Sequence, residues 1–191
     1  MRWLLVCGIM QHAAGAEVIL HEVSALTLKT IESSSDDALF AVLSKELERR
    51  IGRRGKAREL AAKIRNLPIG LKAMAATYEL DVSLALDDLG WHFGNWHDHG
   101  LAEETLRGLE ELGAAELAEI FKAAFGLAIR YWNELGSKNW TKWYNGSPLE
   151  KAMKPLNEKA WSILKKNKTG IFDYWLAYAR KHPDRIGVVD A

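Results

Sequence analysis

Apolar residues recur at steps of three and four along most of this 191-residue chain, the spacing that lines one face of an α-helix. Behind Ser35 and Asp36, two good capping residues, come Leu39, Phe40, Leu43, Leu47 and Ile51, with Arg49 and Arg50 in the last turn and Gly52 after it. The same spacing predicts a second helix from Lys56 to Asn66 and a third opened by Pro68 and carrying Leu71, Met74, Ala75 and Tyr78. Asp81 then reads as the cap of another helix, bearing Leu84, Leu86 and Leu89. From Ala102 to Leu112 the pattern turns Leu106, Leu109 and Leu112 inward, and Gly113 ends it. The longest predicted helix runs from Ala115 to Leu135 and stops at Gly136. Two more are expected, one from Pro155 with Ala160, Trp161 and Leu164, and one from Phe172 to the stop at His182-Pro183. No stretch after residue 35 alternates with period two, and only residues 17–31 fit either a helix or an extended arm. The fold class is therefore all-α. A single compact domain of about seven or eight helices is expected over residues 33–186, between an N-terminal segment (1–32) and a short tail (187–191).

A chain with 48% hydrophobic and 27% charged residues has enough apolar surface for one sizeable core. Its one cysteine, Cys7, excludes an internal disulfide and a thiolate zinc site. The opening MRWLLVCGIMQHAAGAE sketches a secretory signal, but a single Arg and an apolar run of eight residues from Trp3 to Met10 lie at the lower edge of what export requires. His12, Glu17, His21 and Glu22 interrupt any stretch near the ~20 apolar residues of a membrane span. A cytoplasmic chain without a membrane partner is the expectation.

Charge is unevenly distributed behind a formal net charge of +1. Residues 45–65 carry nine Lys/Arg against three Asp/Glu. Residues 79–119 carry eleven acids against Arg107 alone, a net of −10, and residues 120–185 return to a net of +8. Such blocks either pair with one another as solvated helix faces or present an acidic surface to a partner.

Candidate chemistry concentrates in GWHFGNWHDHG, residues 90–100. His92, His97 and His99 with Asp98 are ligand types for a transition metal, and a metal-dependent enzyme built on them is the alternative functional reading. Their spacing matches no zinc or non-haem iron pattern, however, and the same stretch suits a packed turn. Glycines would supply backbone angles with positive φ, Trp91, Phe93 and Trp96 would cover the turn, Asn95 would bond exposed backbone groups, and the histidines would lie at the surface. A second segment, YWNELGSKNWTKWYNG (131–146), interleaves rings with Lys138 and Lys142. It could stack nucleic-acid bases, but clamping a loop onto the core is the reading favoured here. No phosphate loop, dinucleotide fingerprint or nucleophile elbow occurs, so neither a cofactor nor an enzymatic activity is expected.

The run NWHDHGLAEETLRGLEELGAAELAEIFKAAF resembles the signature of the bacterial DNA-mimic-protein-19-like domain family. That signature is an Asn followed by Gly, Leu-Ala, a Glu-containing helix ending in Leu/Ile-Gly-Ala, and a long second helix. The matching positions are Asn95, Gly100, Leu101, Ala102, Glu104, Leu106, Leu109, Leu112, Gly113 and Ala114. SSDDALFAVLSKELERRI and LPIGLKAMAATYELDV are similar to that family's opening helices and DYWLAYARKHPDRI to its last, so the resemblance spans about residues 33–186. It implies structural roles for Gly90, Trp91, Asn95, Gly100 and Gly113. It further implies a non-enzymatic interaction module whose carboxylates stand in for phosphates toward a DNA-binding or immunity-type protein. In this sequence that face would comprise Asp98, Glu103, Glu104, Glu110, Glu111, Glu116 and Glu119, and the partner would be a basic protein, with no direct contact to nucleic acid.

Overall fold

The computed structural model describes residues 26–52 and 55–188. The signal-like stretch therefore lies outside the described residues, as does all of the ambiguous 17–31 stretch before residue 26. The described residues form eleven helices and no strand, eight of the helices having seven residues or more. In chain order these are α1 (Leu28–Ser33), α2 (Asp36–Ile51), α3 (Ala57–Ile64), α4 (Ile69–Leu86), α5 (Leu89–Asn95), α6 (His99–Glu111), α7 (Ala115–Ile129), α8 (Trp132–Leu135), α9 (Trp140–Tyr144), α10 (Pro148–Leu164) and α11 (Phe172–Lys181), followed by a 3-10 turn at Pro183–Ile186.

Helix α4 is the axis of the fold because it is apolar on nearly every side. Twelve of its eighteen residues are buried, as a helix without a polar face must be. It packs against α3, α5, α6, α11 and the 3-10 turn. Its small residues allow α6 to come close: a Cβ added at Gly108 would stand 2.9 Å from the Ala73 carbonyl oxygen, and the Thr105 hydroxyl donates to the Ala76 carbonyl at 3.0 Å. On the α11 side the Trp175 indole N–H donates to the Thr77 hydroxyl at 3.0 Å, and Trp175 gathers Phe40, Tyr78 and Phe172 around it. A second aromatic cluster, Phe93, Phe121, Phe125 and Trp132, joins α5, α7 and α8. Helix α10 closes over α5 and α7, where the buried Asn157 side chain accepts the Leu89 N–H at 3.1 Å.

Four sequence-based expectations change. Asp81 does not start a helix; it lies inside α4, 5% exposed, and its Oδ1 accepts the Ile171 N–H at 2.7 Å. Its capping capacity thus serves the distant start of α11 rather than its own helix. The predicted helix 115–135 breaks after Ile129, and Tyr131 leaves helical angles at φ −124° and ψ 27°, so that Trp132 can pack on α5 and α6. Among the described residues the longest helix is α4. Pro155 lies within α10 instead of opening it. The true start is the Ser147 cap, whose Oγ accepts the Glu150 N–H at 3.1 Å, while the Glu150 carboxylate reaches past it to accept the Gly146 N–H at 2.5 Å. Pro155 is exposed, so the turn it weakens faces water while Met153, Asn157 and Ala160 hold the opposite side.

The fourth change concerns GWHFGNWHDHG. Most of it is helix, divided between α5 and the start of α6, and Gly90, Gly94 and Gly100 are not among the glycines with positive φ. Gly90 and Gly94 are needed for close approach instead. A Cβ at Gly90 would overlap the ring and hydroxyl of Tyr144, and one at Gly94 would stand 2.5 Å from the Trp140 ring. Gly113 does have the expected left-handed angle, φ 77°. It ends α6, with its N–H on the Glu110 carbonyl at 3.1 Å and the Ala114 N–H on that of Leu109 at 2.9 Å.

Candidate functional site

The histidines and Asp98 of the histidine-rich stretch, and Asp88 just before it, are engaged by caps and packing rather than by one another. Asp88 caps α5, accepting the Trp91 N–H at 2.8 Å, and its carboxylate also accepts the Tyr144 hydroxyl at 3.0 and 3.2 Å. His92, expected at the surface, is 2% exposed because its position on α5 faces α4. There its Nδ1 lies 3.1 Å from the Ser83 hydroxyl, and its ring meets Phe93 and Phe121 edge-on. Burial pushes its pKa down to about 4 against an opposing hydrogen bond to the Glu79 backbone, so the imidazole is neutral at physiological pH. His97 Nε2 donates to the Trp132 carbonyl at 2.8 Å, and its ring stacks on the Trp132 indole at 4.3 Å. His99 contacts the same indole at 4.1 Å. Asp98 caps α6 through the Leu101 N–H at 2.8 Å. Among the described residues no three His, Cys, Asp or Glu side chains are grouped to hold a metal ion, so the ligand set of the metal-enzyme alternative is not assembled.

The segment 131–146 packs as a clamp. Trp140 meets Trp91 at 4.9 Å, Trp143 meets Tyr131 at 5.7 Å, and Tyr144 is fully buried over Gly90. Trp91 is half-buried against this clamp, while Asn95 is exposed at the end of α5.

The acidic residues of 79–119 do not form one continuous face. Glu79 and Asp81 are buried in α4, and Asp88 and Asp98 serve as caps. Arg107 bridges Glu103 and Glu104 at 3.3 Å each, leaving the Glu104 side chain 18% exposed against 59% for Glu103. Glu111, expected on the outer face, turns toward the C-terminal turn. It accepts the Tyr178 hydroxyl and pairs with Arg185 at 2.9 Å, because α6 ends where α11 and the 3-10 turn pass. Burial, then the Glu111 hydrogen bond and charge, push the Tyr178 phenol upward. Asp87, Glu103, Glu110, Glu116 and Glu119 remain exposed; among the described residues all of these but Glu103 make no ion pair. Glu103 and Glu110 are seven residues apart, two turns and ~10.5 Å along one side of α6. Glu116 and Glu119 follow on α7, directly after the Gly113 turn.

A family model described as DMP19-like protein matches residues 65–182 of this fold, from just before α4 through α11. The chain belongs to the DMP19-like family. The match starts later than the resemblance read from the sequence, leaving α1 to α3 outside it, and it contains every residue of the candidate acidic face. The DMP19-like family is not a known enzyme family. No curated protein and no solved structure matches the chain. Among the described residues of this DMP19-like chain, no helix is long and apolar enough to cross a membrane.

Two features of the fold escaped the sequence reading. One is the Tyr178–Glu111–Arg185 cluster, whose members lie up to 74 residues apart. The other is a cleft beside Asp81, between α4, α10 and the loop leading to α11. The signal that could have located Asp81 is local: neither Gly nor Pro separates Tyr78 from Leu84, so an Asp there belongs to a helix interior and needs a tertiary partner.

Proposed function

We propose that this DMP19-like chain is a non-enzymatic interaction module. It binds a basic protein through the exposed carboxylates around the α6–α7 turn: Glu103, Glu110, Glu116 and Glu119, with Asp98 and Glu104 at the margin. The observation that carries this reading is the exposure of Glu110, Glu116 and Glu119 without a described cation of their own chain. Carboxylates spaced along two connected helices present negative charge at intervals, as a phosphate backbone does, and suit a protein that otherwise binds DNA. Glu111 is committed to Tyr178 and Arg185, so its role in this reading is to hold the end of α6 in place.

The test compares the wild-type chain with a variant carrying Glu103→Lys, Glu110→Lys, Glu116→Lys and Glu119→Lys. Each substitution changes an exposed charge and should alter stability by no more than about 1 kcal/mol, while together they reverse the local field. In pull-downs from the source cell, the wild type should retain a basic protein at low salt, lose it as salt rises, and release it to added duplex DNA. The variant should retain none. Equal recovery by both forms, with equal salt dependence, would refute the proposal.

A further inference from the structure

Away from the acidic face, Asp81, Leu84 and Ala85 of α4, Trp161 and Leu164 of α10, and Lys165, Asn167, Lys168 and Gly170 of the following loop line a cleft of about 220 Å³. Its walls are apolar, its base is a carboxylate, and its rim carries two lysines. Asp81 is 5% exposed. Its Oδ1 is held by the Ile171 N–H at 2.7 Å, and no described group donates to Oδ2. The nearby Asp173 is differently placed, because its carboxylate already accepts the Lys168 and Thr169 N–H groups and the Thr169 hydroxyl. Oδ2 is not an enclosed, unpartnered atom; it opens on the cleft, where it can accept from a hydrogen-bonding, positively charged group. Lys165 and Lys168 are exposed and make no ion pair among the described residues. They would repel a plain cation and attract an anionic group at the mouth.

We propose that this cleft binds a small zwitterion of the amino-acid type, with a terminal ammonium, a short aliphatic body and a carboxylate. The ammonium donates to Asp81 Oδ2, the aliphatic body lies along Leu84, Leu164 and the Trp161 ring, and the carboxylate meets Lys165 and Lys168. Neither end of such a molecule would be satisfied by the apolar walls alone, so affinity requires both charged ends of the cleft. The site uses none of the glutamates of the proposed acidic face and stands or falls separately from it.

The wall reports its own occupancy, since the Trp161 indole N–H donates to the Leu84 carbonyl at 3.0 Å. The experiment is an NMR titration of the full chain, following the Trp161 indole and the Gly170 and Ile171 amides, with 6-aminohexanoate, hexylammonium and hexanoate as probes. Saturable shifts at these three positions are expected with 6-aminohexanoate. Asp81→Asn keeps an oxygen for the Ile171 N–H and removes the charge, and should weaken that binding at least about ten-fold. The double variant Lys165→Met/Lys168→Met, altering two exposed residues, should weaken 6-aminohexanoate toward the affinity of hexylammonium. Three results would each overturn the assignment: no saturable shift with 6-aminohexanoate, undiminished binding by Asp81→Asn, or equal binding of hexanoate or hexylammonium by the wild type.

Discussion

Replacing Asp81 with Asn should stabilise the protein at neutral pH and leave it unchanged in acid. Burial raises the Asp81 carboxyl from 3.8 to about 6. The Ile171 N–H opposes this shift and the Asp173 charge adds to it. The folded state therefore favours the protonated acid. The stability this group contributes is fully present below 3.8 and is lost as pH rises through 6, and the difference corresponds to about 3 kcal/mol. His92 works in the opposite sense. Its pKa falls from 6.5 to about 4 on folding, so its contribution is full above 6.5 and is lost as pH falls toward 4, again by about 3 kcal/mol. Between pH 4 and 6.5 the two groups offset one another, and their joint effect on the wild type is nearly flat. Asp81→Asn removes one of the pair while preserving the acceptor for Ile171. Urea melts at steps from pH 4 to 7.5 should show the variant equal to wild type at pH 4 and up to about 3 kcal/mol more stable at pH 7.5, with the uncompensated His92 slope exposed. The difference between the two proteins isolates Asp81, since carboxylates such as Glu46 titrate alike in both. A variant less stable than wild type at pH 7.5, or a difference independent of pH, would refute this account of the site.

Three glycine substitutions should differ in sign, as read by thermal or urea melts. Gly126→Ala meets nothing within 4 Å inside α7 and should gain about 0.5–1 kcal/mol, whereas Gly90→Ala and Gly108→Ala drive a methyl into Tyr144 and the Ala73 backbone and should cost about 1–3 kcal/mol. Trp132→Ala removes the ring on which His97 and His99 rest and which joins the Phe93–Phe125 cluster; a loss of about 3 kcal/mol is expected in the same melts. Glu111→Lys should cost more than Glu110→Lys by at least about 1 kcal/mol, because it sets two cations together and leaves the Tyr178 hydroxyl without its acceptor. Equal melting midpoints for these two variants would contradict the role given to Glu111.

The helical class, the limits of α2 and α11, and the turn at Gly113 were legible in the sequence because each depends on neighbours in the chain. A cap needs its own helix start, an amphipathic stripe needs only its period, and a left-handed glycine needs only its turn. The start of α10 was legible by the same logic in Ser147-Pro148-Leu149-Glu150, although Pro155 is the more conspicuous mark. Tertiary contact decided the rest. Gly90 and Gly94 permit an approach by Tyr144 and Trp140 from about fifty residues downstream, and no local angle records that. Asp81 answers to Ile171 ninety residues away, and Glu111 to Tyr178 and Arg185. The count of eleven acids against one Arg was therefore accurate as composition and silent about exposure. A carboxylate's role is set by what lies opposite it, and residues distant in the chain become opposite only when the helices pack.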